Sequence, residues 1–125
     1  MHEAITATVL AGFFGVYREL GAGFVEGVYA RALAIELVNR GLRVESEVPV
    51  SVYYRGTEVG RFRADQIVNG VVLVELKAAD RLVGAHEQQV LNYLNATKLE
   101  VGLLLNFGPR PSFRRFVLTN NRKKL

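Results

Sequence analysis

The chain has 125 residues, 50% of them hydrophobic and 22% charged, a folded composition long enough to close around one core without cross-links. Having no cysteine, it excludes a disulfide scaffold, a thiolate metal site and a cysteine nucleophile, and it fits a cytoplasmic protein. The formal charge of +4 is uneven: all 12 acidic residues precede residue 101, whereas Arg110, Arg114, Arg115, Arg122, Lys123 and Lys124 follow it, a basic end that attracts phosphates or simply keeps the surface solvated.

Residues 3 to 20 have helical composition. Their uncharged run from Ile5 to Tyr17 is too short to span a bilayer and lacks a basic flank, so it reads as a buried helix and not as a membrane anchor or signal. Gly21-Ala22-Gly23 stops this helix, and a second covers about residues 24 to 39 before Gly41. On its 3.6-residue period Glu26, Tyr29, Ala30, Leu33 and Leu37 share a face, which sets a carboxylate at the head of an apolar stripe. The period then becomes extended. Residues 48 to 54, 58 to 68 and 71 to 78 read as an antiparallel meander turning at Arg55-Gly56 and Asn69-Gly70.

Residues 84 to 97 read as a helix with Val90, Leu91 and Leu94 toward the core and Gln89 and Tyr93 one turn apart on a neighbouring face. Strands at 101 to 107 and 113 to 118 flank Gly108-Pro109-Arg110-Pro111, which forbids regular structure. No repeat or low-complexity linker divides the chain. The expectation is one domain over residues 1 to 125, α+β, with a mixed β-sheet flanked by helices in the order α-α-β-β-β-α-β-β and a basic tail at about 119 to 125.

The stretch FRADQIVNGVVLVELKAA concentrates the chemistry. Alternation puts Val71, Leu73, Glu75 and Lys77 on one face of an apolar strand, where an ionised Glu75 needs a partner; Lys77 alone could serve as a structural ion pair. A strict two-residue turn at Asn69-Gly70 would set Asp65 on the opposite face from Glu75. A three-residue loop or a bulge would bring Asp65 directly across from it. Facing carboxylates repel unless a cation lies between them, and a hard divalent ion suits two carboxylates with no soft ligand nearby. Lys77 could then orient or help deprotonate a water attacking a phosphodiester.

Asp65 followed after nine residues by Glu75-Leu76-Lys77, on a hairpin between helices, resembles the PD-(D/E)XK nuclease superfamily with its restriction-endonuclease-like fold. GFVEGVY, with Gly23, Glu26 and Tyr29, has the spacing of its GxxExxY branch, and ALAIEL, FRAD, VELKA, HEQQVLNYL and GLLLNFG extend the similarity from Leu20 to Gly108. Ala64 stands where the superfamily motif often has proline, and Ala22 where the Gly-x-Gly turn often has it.

The resemblance implies a Mg²⁺- or Mn²⁺-dependent nuclease acting on DNA. Asp65, Glu75, a backbone carbonyl near Leu76 and Glu26 would hold the metal, Lys77 would be the catalytic lysine, and Gln89 would lie beside metal and substrate. His86, Tyr93, Arg61, Arg63, Arg114 and Arg115 are candidate substrate contacts, although each also has an ordinary role open to it on a helix or strand surface. A nucleic-acid- or partner-binding module that keeps the fold without cutting is the alternative. So thin a chain would gain grip on a duplex as a homodimer.

Overall fold

The computed structural model describes residues 1–124, so the last residue of the expected tail, Leu125, lies outside the described residues. The elements are α1 (Glu3–Leu20), α2 (Glu26–Asn39), β1 (Val44–Tyr54), β2 (Thr57–Val68), β3 (Val72–Lys77), α3 (Gly84–Asn95), β4 (Val101–Asn106) and β5 (Ser112–Val117), closed by a 3₁₀ turn at Asn120–Arg122. The order is the expected one, and the five strands form one mixed sheet in the sequence β1-β2-β3-β4-β5. Only β3 and β4 run parallel, because α3 carries the chain back between them; every other neighbour is antiparallel.

The sheet separates two packed layers. Val72, Val74, Leu76, Val101, Leu103 and Leu105 face α1 and α2, while Leu73 and Leu104 face Val90 and Leu94 of α3. Strands β3 and β4 are therefore covered on both sides, which explains their near-continuous apolar sequence. Between the two helices and the sheet, Phe107 packs edge-on to Phe13 at 4.7 Å and stacks on Tyr29 at 4.4 Å. Gly12 lets α1 and α2 approach: a Cβ there would stand 2.8 Å from Leu37 Cδ2.

Two boundaries and the tail differ from the sequence reading for identifiable reasons. Strand β1 begins at Val44 instead of residue 48, because Glu45, Ser46 and Glu47 are exposed on an edge strand and hide its period. Helix α2 begins at Glu26 instead of residue 24. There the Tyr29 hydroxyl accepts the Phe24 N–H and donates to Gly21 O, tying back a turn in which Gly21 and Gly23 take φ of 67° and 110°. The expected solvating tail is instead docked: Lys123 Nζ donates to Thr97 O at 2.8 Å and to Leu99 O, just beyond the end of α3, and the Lys124 N–H donates to Asn95 Oδ1.

The end of β3 is clamped by its parallel neighbour. Buried Asn106 accepts from the Ala79 and Gly108 N–H groups through Oδ1 at 2.9 and 3.1 Å and donates from Nδ2 to Ala79 O at 3.0 Å, while the Phe107 N–H reaches Lys77 O at 2.7 Å. Gly108 cannot carry a side chain, since a Cβ would lie 1.8 Å from Ala79 O. Gly108→Ala should destabilise the chain by roughly 2–4 kcal/mol in urea unfolding. Gly84→Ala, at a position with nothing within 4 Å, should be neutral or mildly stabilising.

Candidate active site

Strands β2 and β3 pair through Val68 with Val72, Ile67 with Leu73 and Gln66 with Val74, so the connection is the three residues Asn69-Gly70-Val71. That is the register that brings Asp65 opposite Glu75. Asn69 and Gly70 take the left-handed backbone such a turn requires, at φ 51° and 67°. Regular pairing then stops, and side chains replace it: the Asp65 N–H donates to Glu75 Oε1 at 3.0 Å, and the Leu76 N–H donates to Asp65 Oδ2 at 2.8 Å. Each carboxylate accepts a backbone N–H on the opposite strand, and the strands fork there.

The other neighbour of β2 is irregular at the same level. Ser46 pairs with Gln66 and Val48 with Ala64, but Glu47 between them has φ 50°. Simple alternation fails here. Ala64 packs toward α3, Gln66 donates to Ala30 O on α2 at 2.8 Å, and Asp65, instead of pointing away, lines a cleft on the α2 side.

This cleft, about 410 Å³, has Glu26, Gly27, Ala30, Arg31, Ala34 and Ile35 along α2 and Ser46, Glu47, Asp65 and Leu76 on the strands. Glu26, Asp65 and Leu76 thus share one cavity, and Glu75, 4% exposed, is hydrogen-bonded to Asp65 beside it. Among the described residues, no three His, Asp or Glu side chains converge closely enough to cage a cation. The fit rests on the facing pair: its donors are all oxygens, and Mg²⁺ and Mn²⁺ suit carboxylate and water ligands, Mg²⁺ taking one or two carboxylates beside water. Glu47 and Ser46 escaped the sequence reading. The only signal was the polar run inside an otherwise apolar strand.

Lys77 is half-buried, and among the described residues its ammonium makes neither ion pair nor hydrogen bond, so the structural Glu75–Lys77 pair does not form. Gln89 Nε2 donates to the Tyr93 hydroxyl at 2.8 Å, and the Tyr93 ring stacks on Phe62 at 3.6 Å. Burial first, then the charge of Glu75, raises the Tyr93 pKa. His86 Nδ1 accepts the Val83 N–H, so its ring caps the start of α3. Arg61 pairs loosely with Glu58 and Arg63 is exposed, both on β2. Arg114 and Arg115 lie on β5, at the far edge of the sheet, pairing with Leu104 and Leu103; the structure does not bring them to the cleft.

Burial, reinforced by the Asp65 charge, pushes the Glu75 carboxyl from the ordinary 4.5 up to about 8, against a smaller downward pull from Lys77. Between those values the folded chain holds a proton that the unfolded chain has released, so this group's contribution to stability falls as pH rises from 4.5 through about 8. Glu75→Gln keeps an acceptor for the Asp65 N–H without the charge. In EDTA its Tm should exceed that of the parent by about 4 °C or more above pH 8, with the gap closing toward pH 4.5.

No curated protein matches the chain. The solved structure titled "Crystal structure of SSO0001" is similar with a TM-score of 0.51 and 24% identity, over 61% of this chain and 43% of that one, a likeness of fold alone. No helix among the described residues is long and apolar enough to cross a membrane. The family model of the PD-(D/E)XK nuclease superfamily matches residues 3–116, the span that holds the fork, the cleft and the clamp. The chain belongs to the PD-(D/E)XK nuclease superfamily.

Proposed function

We propose that the chain is a metal-dependent phosphodiester hydrolase acting on DNA, in the GxxExxY branch of its superfamily and at work in the cytoplasm. The observation that carries this reading is the fork: two facing carboxylates, one buried and held above its ordinary pKa, beside an unpaired lysine and an open cleft. Sheets do not place like charges opposite each other without compensation, and a purely structural pair would be satisfied by Lys77.

Asp65 and Glu75 would hold Mg²⁺ or Mn²⁺ with the carbonyl of Leu76, and Glu26, on the same cleft but apart from the pair, would reach the ion through water. A bound divalent ion would offset the negative charge that builds on the scissile phosphate. Lys77, its ammonium uncommitted at the end of a strand clamped by Asn106, would hold the attacking water in line and add its own positive charge. Gln89 would act through Tyr93, its hydrogen-bond partner, on the side of the carboxylates opposite α2. The GxxExxY spacing supports the role of Glu26: Tyr29 and the two glycines fix the turn from which α2 starts, and Glu26 is its first residue.

The purified chain should cut DNA with Mg²⁺ or Mn²⁺, and Lys77→Ala should lower kcat by about 100-fold or more. Calorimetry should show Mn²⁺ binding that Asp65→Asn and Glu75→Gln each weaken. Cleavage no faster than the Lys77→Ala background, on single- and double-stranded DNA alike, would defeat the reading.

A further inference from the structure

Beyond the fork, β1 and β2 continue without β3. Pairing between them runs from Pro49 with Arg63 out to Tyr54 with Thr57, whereas the pairing of β2 with β3 ends at Gln66. The result is a two-stranded arm reaching roughly 25 Å from Asp65 to its tip. Isolated ribbons of this kind are marginal. This one is anchored near its base by the Phe62–Tyr93 stack and by Val48 and Ala64 against the α3 layer.

The surface of the arm is unusual for an unused one. Tyr53 and Tyr54 are 56% and 58% exposed at the tip, next to a register shift between Val52 and Tyr53, and the Arg55 guanidinium lies 5.2 Å over the Tyr54 ring. Arg63 is exposed on β2 two residues before Asp65, and Arg61, exposed two residues further out, borders a cavity with Phe62 and the α3 residues Asn92 and Tyr93. The Arg61 pair with Glu58 is exposed and 3.3 Å long, weak enough to yield to a phosphate. Self-pairing along the free edge of β1 is opposed by Pro49 and by Glu45 and Glu47, residues that block strand addition.

We propose that this arm is a binding site for single-stranded nucleic acid: Arg61 and Arg63 take backbone phosphates next to the fork, and Tyr53 and Tyr54, steadied by Arg55, stack on unpaired bases at the tip. The inference rests on the nuclease reading for its biological sense and deepens it, naming an unpaired strand as the substrate class. Three cationic groups against one acid give the charge complementarity, and aromatic faces accept any base. Asp65 lies at the foot of the same strand, so a backbone followed along Arg61 and Arg63 arrives at the carboxylates.

The test separates binding from cutting. Fluorescence anisotropy with labelled oligothymidylate, in Ca²⁺, should show tighter binding than to a blunt duplex. Tyr53→Ser with Tyr54→Ser should weaken it by roughly 10-fold or more, while Tyr53→Phe with Tyr54→Phe retains it. Arg61→Gln with Arg63→Gln should reduce the slope of log K against log salt by about 1.4. Absence of oligothymidylate binding, or equal affinity and salt slope across these variants, overturns the arm proposal. So does a change from dimer to monomer in the variants with affinity untouched, which would make the arm a contact between copies. Cleavage against the Lys77→Ala background is read separately and reports only on the nuclease reading.

Discussion

Everything near the cleft depends on two reciprocal hydrogen bonds, Asp65 N–H to Glu75 Oε1 and Leu76 N–H to Asp65 Oδ2. An antiparallel ladder continued one rung further would have used backbone carbonyls and left both side chains to point away. Using the carboxylates instead lets the strands part without orphaning the N–H groups, which would cost about 1–3 kcal/mol each if buried and unpaired. The same bonds fix the acids' positions relative to each other. Satisfying the backbone and assembling the site are here one event.

The rest of the fold offsets what that arrangement costs. A buried carboxyl with a charged neighbour, a left-handed Glu47 and a buried Gln66 Oε1 with no hydrogen-bond partner among the described residues all cluster around the fork. Strands β3 and β4, apolar on both faces, and the Phe13–Phe107–Tyr29 stack supply the burial that tolerates them. The position of Lys77 is set twice over, by parallel pairing with Asn106 and by the Asn106 clamp on Ala79, so its free side chain hangs from rigid backbone. Tyr29 does the corresponding work for Glu26. Its hydroxyl meets main-chain groups of the glycine turn and not the acid, so the tyrosine orients Glu26 by placing the start of the helix.

Much of this was legible in the sequence because period and turn chemistry are local. The apolar runs of β3 and β4, the glycine stops and the helical stripe through Tyr29, Leu33 and Leu37 each announce themselves within a few residues. The register of the hairpin was legible only conditionally: Asn69-Gly70 fits loops of two or three residues, and the choice is made by Val71, an apolar residue that looks like strand. Two things were hidden. The first is the polar start of β1, whose edge position removes the alternation that would reveal it. The second is the break at Glu47 and Asp65, where both neighbours of β2 become irregular and an alternation argument assigns the wrong face. Nothing local encodes that break, because it arises from three strands meeting.

The elevated Glu75 pKa shows how charge and fold are coupled at the fork. On its own, the pair lowers its repulsion by keeping one proton near neutral pH. A cation placed there would do the proton's work and displace it, so metal affinity and proton release are linked. Lys77 contributes only a minor downward pull on Glu75, because its ammonium makes no direct contact with the carboxylate. Had it neutralised Glu75 outright, the pair would be stable, dry and closed to a cation. Leaving the lysine unattached keeps the charge of the carboxylates uncompensated and the amine available, a condition that costs stability and that a ligand bridging both would relieve.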